Sequence, residues 1–167
     1  IVGFIFRRTG IPAALSLMML VESGGNPQAV SHAGAVGSFQ FMQRTAKEYK
    51  LHVRAGEVDE RKSTEKAALA AALYLRKMTE IHGFGWASAL PAYNCGPGCV
   101  QRAMRNNQAR DYFALHTLPR ETKEYVPRIY AVILIFRDLD RYGFRYDPRV
   151  ARYEVREVEG PMPLGEV

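Results

Sequence analysis

The stretch Ile11 to Val21 is almost unbroken apolar sequence, and it ends in a single acid, Glu22, followed by Ser23-Gly24-Gly25. Pro12 stands where a first helical turn tolerates proline, because its missing N–H has no intrahelical acceptor to meet. From Ala13 to Val21 only Ser16 interrupts the apolar run, and a helix apolar all round belongs in a core. The glycines then end it, since glycine readily takes the left-handed turn that closes a helix. The sequence therefore predicts a buried helix that delivers Glu22 to its last turn. Desolvation and the negative end of the helix dipole both disfavour a carboxylate there, which predicts a raised pKa. A carboxyl kept protonated near neutral pH is what a general acid needs. The bland alternative is a helix-terminal glutamate turned to water, and position alone does not choose between the two.

A chain of 167 residues has the size of one domain and can bury a core without staples. Its apolar content of 47% and mean hydropathy of -0.21 are those of an ordinary globular chain. No apolar run has the length that crosses a bilayer. The first residues, Ile1 to Arg8, read as helix without an initiator methionine or signal peptide, so a mature or trimmed fragment is expected. The net charge of +6 favours anionic partners.

Helical periodicity dominates the chain. Asn26 to Gly37 is a polar, glycine-containing loop, Phe39 to Tyr49 reads as a second helix, and Lys50 to Lys62 is a charged connection. Ser63 or Thr64 caps an alanine-rich helix that runs to His82. Its face of Ala68, Ala71, Ala72, Leu75 and Met78 is small enough for another helix to approach closely. A short helix over Trp86 to Tyr93 leads into a tight turn, Asn94 to Gly98, and Val100 to Asn107 is helical again. The last long helix, Glu121 to Tyr142, carries an apolar middle, Ile129 to Phe136, expected to pack on the first. Pro127 should bend it. The fold class is mainly α, with a domain over 1–143 and an extended arm over 144–167.

Metal chemistry finds no motif: His32, His52, His82 and His116 are scattered and no HExxH occurs. No cofactor signature is present either. Cys95 and Cys99 have three residues between them rather than two, and no βαβ setting. A local disulfide and two free thiols both stay open. The cations lie along helix faces, often beside acids, without the aromatic interleaving of single-strand binders, so nucleic acid is not the expected partner. Polar residues recur instead at loop–helix junctions: Ser31, Gln40, Tyr93, Asn94, Glu121 and Tyr125.

Taken in order, Glu22-Ser23, then Ser31-x-Ala33-Gly34-Ala35-x-Gly37-x-x-Gln40-x-Met42, then Ala92-Tyr93-Asn94-x-Gly96-Pro97-Gly98, then Glu121-Thr122-x-x-Tyr125-Val126 resemble the motifs of the lytic transglycosylases. These are glycoside hydrolases of family 23 with the goose-type lysozyme fold. Asp59-Glu60-Arg61 with Ser63-Thr64, and Leu118-Pro119-Arg120 before Glu121, are similar to the membrane-bound lytic transglycosylase D subgroup. The resemblance implies a lysozyme-like helical domain, monomeric and without cofactor. It would cut the β-1,4 bond between N-acetylmuramic acid and N-acetylglucosamine in peptidoglycan, leaving 1,6-anhydromuramoyl ends, in the periplasm, at the outer membrane or outside the cell; a non-catalytic wall-binding module is the alternative of another class. It further implies Glu22 as the catalytic acid, with Ser31, Gln40, Met42, Tyr93, Asn94, Glu121 and Tyr125 lining the glycan site. Glu121 has two readings there, bracing loops or acting in the chemistry. Three residues depart from the family pattern: Ser38 for a bulky apolar residue, Cys95 for alanine, and Cys99 for a basic or polar residue. Neutral drift with a bracing disulfide explains them, and so does a cleft retuned for N-deacetylated glycan that would admit water and hydrolyse.

Overall fold

The computed structural model of the protein describes residues 1–54 and 58–145. Its α-helices are α1 (Val2–Arg8), α2 (Met18–Ser23), α3 (Gln43–Glu48), α4 (Thr64–Glu80), α5 (Trp86–Cys95), α6 (Pro97–Asn107) and α7 (Arg120–Arg137). No strand longer than an isolated bridge occurs among the described residues. Residues 1–137 form one compact unit and residues 138–167 a second. In the second, a 3-10 turn over Asp140–Tyr142 is closed by Gly143 in the left-handed conformation, φ 78°. The arm expected beyond Phe144 falls almost wholly outside the described residues.

The core is built on α4. Its Ala67, Ala68, Ala70, Ala71, Ala72, Leu75 and Met78 are all buried, because side chains this small let α1 and α5 come close on either side. Ser63 caps it, its hydroxyl accepting from the Lys66 N–H at 3.4 Å. The predicted face of α4 is present, though the helix ends at Glu80, before His82.

The turn expected over Asn94 to Gly98 shrinks to Gly96 between two helices, α7 ends at Arg137 rather than Tyr142, and three further elements differ more deeply. The stretch Ile11 to Val21 is not one buried helix: Ala13–Leu17 winds as a 3-10 helix with Pro12 as its N-cap, and only then does α2 begin. Ile11, Leu15, Ser16 and Met18 are buried, while Ala14 is exposed and Met19, Leu20 and Val21 are half-covered. The hydrophobic count was right and its geometry was not, because a 3-10 segment of three residues per turn sets its side chains in a different register from the α-helix that follows it. The second helix starts at Gln43, four residues later than Phe39, since Gly37 to Gln40 form a turn and Phe41 pairs with Val36. The apolar middle of α7 is buried only at its start, Ile129. Beyond it Tyr130, Leu134 and Phe136 are exposed, while Ile133 is partly buried against the core.

The turn at 37–40 is held from behind. The buried Arg61 guanidinium pairs with Asp59, Nη2 to Oδ2 2.6 Å, and donates through Nη1 to the carbonyls of Gly34 at 3.3 Å and Phe41 at 3.2 Å. That contact keeps the Asp59 carboxyl below the usual carboxylate range. Gly37, at φ +87°, lies so near this brace that a Cβ would sit 1.8 Å from the Arg61 carbonyl oxygen.

Gly34, at φ +84° with open space around it, gives the matched control. Gly34→Ala should cost about 1–2 kcal/mol, the backbone penalty alone. Gly37→Ala must also push the Arg61 backbone away, and should cost clearly more, above about 3 kcal/mol by urea unfolding. Equal losses would show that the close approach carries no weight.

Candidate active site

Helix α2 ends as the glycines dictate. Gly24 takes the left-handed conformation, φ 64°, its N–H bonding the Leu20 carbonyl at 3.0 Å, and the Gly25 N–H bonds the Met19 carbonyl at 3.2 Å. This stop leaves Glu22, half-buried, facing α7. Across from it Tyr125 is buried, and its hydroxyl donates to Glu22 Oε1 at 2.5 Å. The two residues are 103 positions apart in sequence.

Burial raises the Glu22 pKa from 4.5 to about 7, the Tyr125 hydrogen bond opposes that rise, and the charge of Glu121 adds to it. Glu121 is exposed at the opening of α7, yet near enough for its charge to be felt. Tyr93 on α5 closes another side. Its hydroxyl donates to the Phe39 carbonyl at 2.9 Å. Burial first, and then the charge of Glu22, hold the Tyr93 and Tyr125 phenols well above their ordinary range. Both stay protonated donors at any working pH.

Asn94, next to Tyr93, is oriented by a residue that sequence reasoning had not singled out. The buried Thr122 hydroxyl donates to Asn94 Oδ1 at 2.7 Å. Its side-chain oxygen is thereby occupied, and the amide NH2 finds no protein acceptor among the described residues. Thr122 carries a weak signal in sequence, since threonine beside the first acid of a helix reads as a cap. Its true partner lies 28 residues upstream.

The structure brings Glu22, Tyr125, Glu121, Tyr93 and, through Thr122, Asn94 into one place. Gln40 does something else. It stands in the turn rather than in a helix, at φ +50°, and its amide donates to the Gly37 carbonyl at 2.9 Å and the Ala29 carbonyl at 3.4 Å. The Ser31 hydroxyl accepts from the Ala35 N–H at 3.0 Å and so shapes its own loop. Met42 is the N-cap residue of α3 and is exposed. Among the described residues no hydrogen bond joins Ser31, Gln40 or Met42 to Glu22.

Cys95 and Cys99 are joined by a disulfide across the junction of α5 and α6, where a single residue, Gly96, separates the two helices. Ser38 stands directly before Phe39, whose carbonyl Tyr93 holds. It is fully buried, its hydroxyl 3.0 Å from that of Thr64, and its carbonyl accepts from Ser23 Oγ at 2.9 Å. The polar side chain is satisfied inside the protein and exposes no surface of its own. Among the described residues no cluster of three His, Cys, Asp or Glu could hold a metal ion.

The sequence profile of the transglycosylase SLT domain matches residues 7–115, which carry Glu22, Tyr93 and Asn94. The chain belongs to this SLT family. Membrane-bound lytic murein transglycosylase D of Escherichia coli is 33% identical over 143 residues, 83% of this chain and 31% of that protein. Membrane-bound lytic murein transglycosylase C of Mannheimia succiniciproducens is 30% identical over 139 residues, 76% of this chain and 38% of its own length. This SLT chain thus spans about a third of the curated relatives it matches. Its fold is similar to that of lytic transglycosylase Slt from Pseudomonas aeruginosa, solved as an inactive glutamate-to-glutamine mutant. The TM-score is 0.67 at 19% identity, over 83% of this chain and 24% of that one.

The electrostatics of Glu22 can be separated by two variants. Tyr125→Phe removes the bond that favours the carboxylate and should move the Glu22 pKa above about 7. Glu121→Gln removes a repelling charge and should move it down. A carboxyl-detected NMR titration reads both. Because the native state holds this proton more tightly than the unfolded chain, the associated stability is complete below about pH 4.5 and is lost as pH rises through about 7. Glu22→Gln should remove that part of the pH dependence of unfolding.

Proposed function

We propose that this SLT domain cleaves the β-1,4 bond between N-acetylmuramic acid and N-acetylglucosamine in peptidoglycan, with Glu22 as the catalytic acid. The observation that supports it most is the half-buried Glu22 carboxyl, held near pKa 7 and gripped by Tyr125. Such a group is protonated in a large fraction of molecules at neutral pH, and it can give up and take back a proton in successive steps.

Most glycosidases set two carboxyl groups across the scissile bond. Here the second candidate, Glu121, is exposed and acts on Glu22 through its charge. A one-acid route suits this arrangement. Glu22 protonates the leaving oxygen as the glycosidic bond breaks, and the substrate's N-acetyl oxygen supports the electron-poor centre. The Glu22 carboxylate then takes the proton from the sugar's 6-hydroxyl, whose oxygen closes a 1,6-anhydro ring. The proton returns to Glu22 and no water is consumed. Tyr125 steadies the carboxylate between the two steps, because its bond strengthens as charge appears.

The free Asn94 amide suits an acceptor on the sugar, such as an N-acetyl carbonyl. Tyr93 fixes the turn that carries Phe39 and Gln40. In this reading Gln40 and Ser31 contribute to glycan binding mainly by shaping the loop wall, and Met42 offers an exposed apolar surface beside it. The net charge of +6 fits a polymer that bears carboxylates. The relatives named membrane-bound support a site of action in the bacterial envelope. No helix among the described residues is long and apolar enough to cross a membrane. One copy contains every group the reaction uses, which supports a monomer.

Mass spectrometry of products from purified peptidoglycan tests this directly. The parent should release 1,6-anhydro ends, and Glu22→Gln should lose about 10²–10⁴-fold in rate, the usual worth of a positioned acid. Activity should fall as pH rises through about 7, where Glu22 loses its proton. Reducing ends in place of anhydro ends would make the enzyme a hydrolase that uses the same acid. Full activity in Glu22→Gln would overturn the assignment.

A further inference from the structure

A separate cavity lies at the other end of α5 from Asn94. It encloses about 680 Å³ between the loop that follows α4 and the C-terminal end of α6, within the roughly 300–1,000 Å³ typical of small-ligand sites. α5 has 10 residues, so its two ends are about 15 Å apart at 1.5 Å per residue. None of the residues gathered around Glu22 lines this cavity.

Its lining has one electrostatic character. Arg105 and Arg110 stand on the wall, with Gln101, Gln108 and His82, and no Asp or Glu is among the lining residues. Nearby acids are engaged elsewhere. The Asp111 carboxylate accepts from the Phe113 N–H at 3.1 Å, and Glu80 pairs with Arg76 at 3.6 Å. Among the described residues no carboxylate forms an ion pair with Arg105 or Arg110. Arg44, Arg76, Arg120 and Arg128, on other helix faces, each pair with a glutamate four residues away.

The wall is also held in shape. His82 stacks on Phe84 with ring centres 5.5 Å apart, and Gln101 Nε2 lies 3.3 Å from His82 Nδ1. Gln108 ends α6 in the left-handed conformation, φ 50°, and the buried Ser88 hydroxyl donates to the Arg110 carbonyl at 3.4 Å. Two guanidinium forks, side-chain amides and an apolar floor of Phe84 and Met104 make a surface for carboxylates joined by a partly apolar, hydrogen-bonding backbone.

We propose that this cavity binds a short acidic peptide, separately from the Glu22 site. The inference rests on the peptidoglycan reading only for the peptide's natural source, which would be the wall's own peptide. Bound there, the peptide would tether the polymer beside the cleft and raise its effective concentration at Glu22.

The test is calorimetric titration and amide NMR mapping with three probes: N-acetylated alanyl-glutamate, its neutral counterpart N-acetyl-alanyl-glutamine amide, and inorganic phosphate. The acetylated alanyl-glutamate dipeptide should bind saturably and shift the resonances of Gln101, Arg105 and Gln108. The double variant Arg105→Gln/Arg110→Gln should weaken it at least tenfold without changing Tm, since both side chains are exposed. Glu22→Gln should leave it unchanged. Equal binding of the neutral counterpart, equally tight binding of phosphate, undiminished binding by the double variant, or no saturable binding would each overturn the proposal. An enzyme that cleaves peptidoglycan yet ignores the dipeptide loses this inference alone. A chain that binds the dipeptide but leaves peptidoglycan intact keeps the cavity's role and loses the glycosidase reading.

Discussion

The hydrogen bond from Tyr125 to Glu22 is the contact on which the candidate site depends. It joins the end of a six-residue helix to the first half of an eighteen-residue one, and it is worth having only if both are already in place. A buried carboxyl without a donor is costly to ionise, while a carboxyl with too many donors would remain charged. One phenol, opposed by burial and by the charge of Glu121, leaves Glu22 between those limits, at about 7. The α-helical frame holds that balance: α7 reaches α2 because both pack on the core that the alanines of α4 allow to close.

A second constraint sits on the opposite wall. The turn at 37–40 contains two residues in left-handed backbone, Gly37 and Gln40. It is fastened by the Arg61 guanidinium through the Phe41 and Gly34 carbonyls, by Ser23 through the Ser38 carbonyl, and by Tyr93 through the Phe39 carbonyl. These side chains reaching main-chain oxygens add to the backbone bonds of the turn itself, among them the reciprocal pair between Val36 and Phe41. That is how an irregular segment is made rigid when no strand ladder satisfies its backbone. Asp59 and Arg61, which looked in sequence like part of a subgroup signature, thereby acquire a physical task. They stiffen the turn from behind.

The departures from the family pattern separate once they are placed. Ser38 is buried and bonded to Thr64, so it exchanges apolar packing for hydrogen bonding inside the protein. Cys95 and Cys99 close a disulfide over the short link between α5 and α6, immediately after Asn94. A covalent tie there restricts the chain that carries Asn94, whose amide is set from the other side by Thr122. Both arrangements fix residues around the site.

Much of this was legible in the residues themselves. The apolar run before Glu22 and the glycines after it announced a helix ending on an acid, because a left-handed stop is written locally in Gly24. The alanine face of α4 announced close helix packing for the same reason, since side-chain size is a property of each residue. Local rules also misled. The run from Ala13 to Leu17 winds as 3-10 helix, Phe39 and Gln40 form a turn, and the apolar residues of α7 beyond Ile129 are largely uncovered. Periodicity cannot count the neighbours that a segment will meet. The partners of the site were least visible of all: Tyr125 for Glu22, Thr122 for Asn94, and Arg61 for the carbonyls of the turn. The sequence alone determined which acid stands at the end of a helix and how that helix stops. Tertiary structure alone decided its pKa, because burial, the Tyr125 donor and the Glu121 charge are supplied by a helix about a hundred residues away.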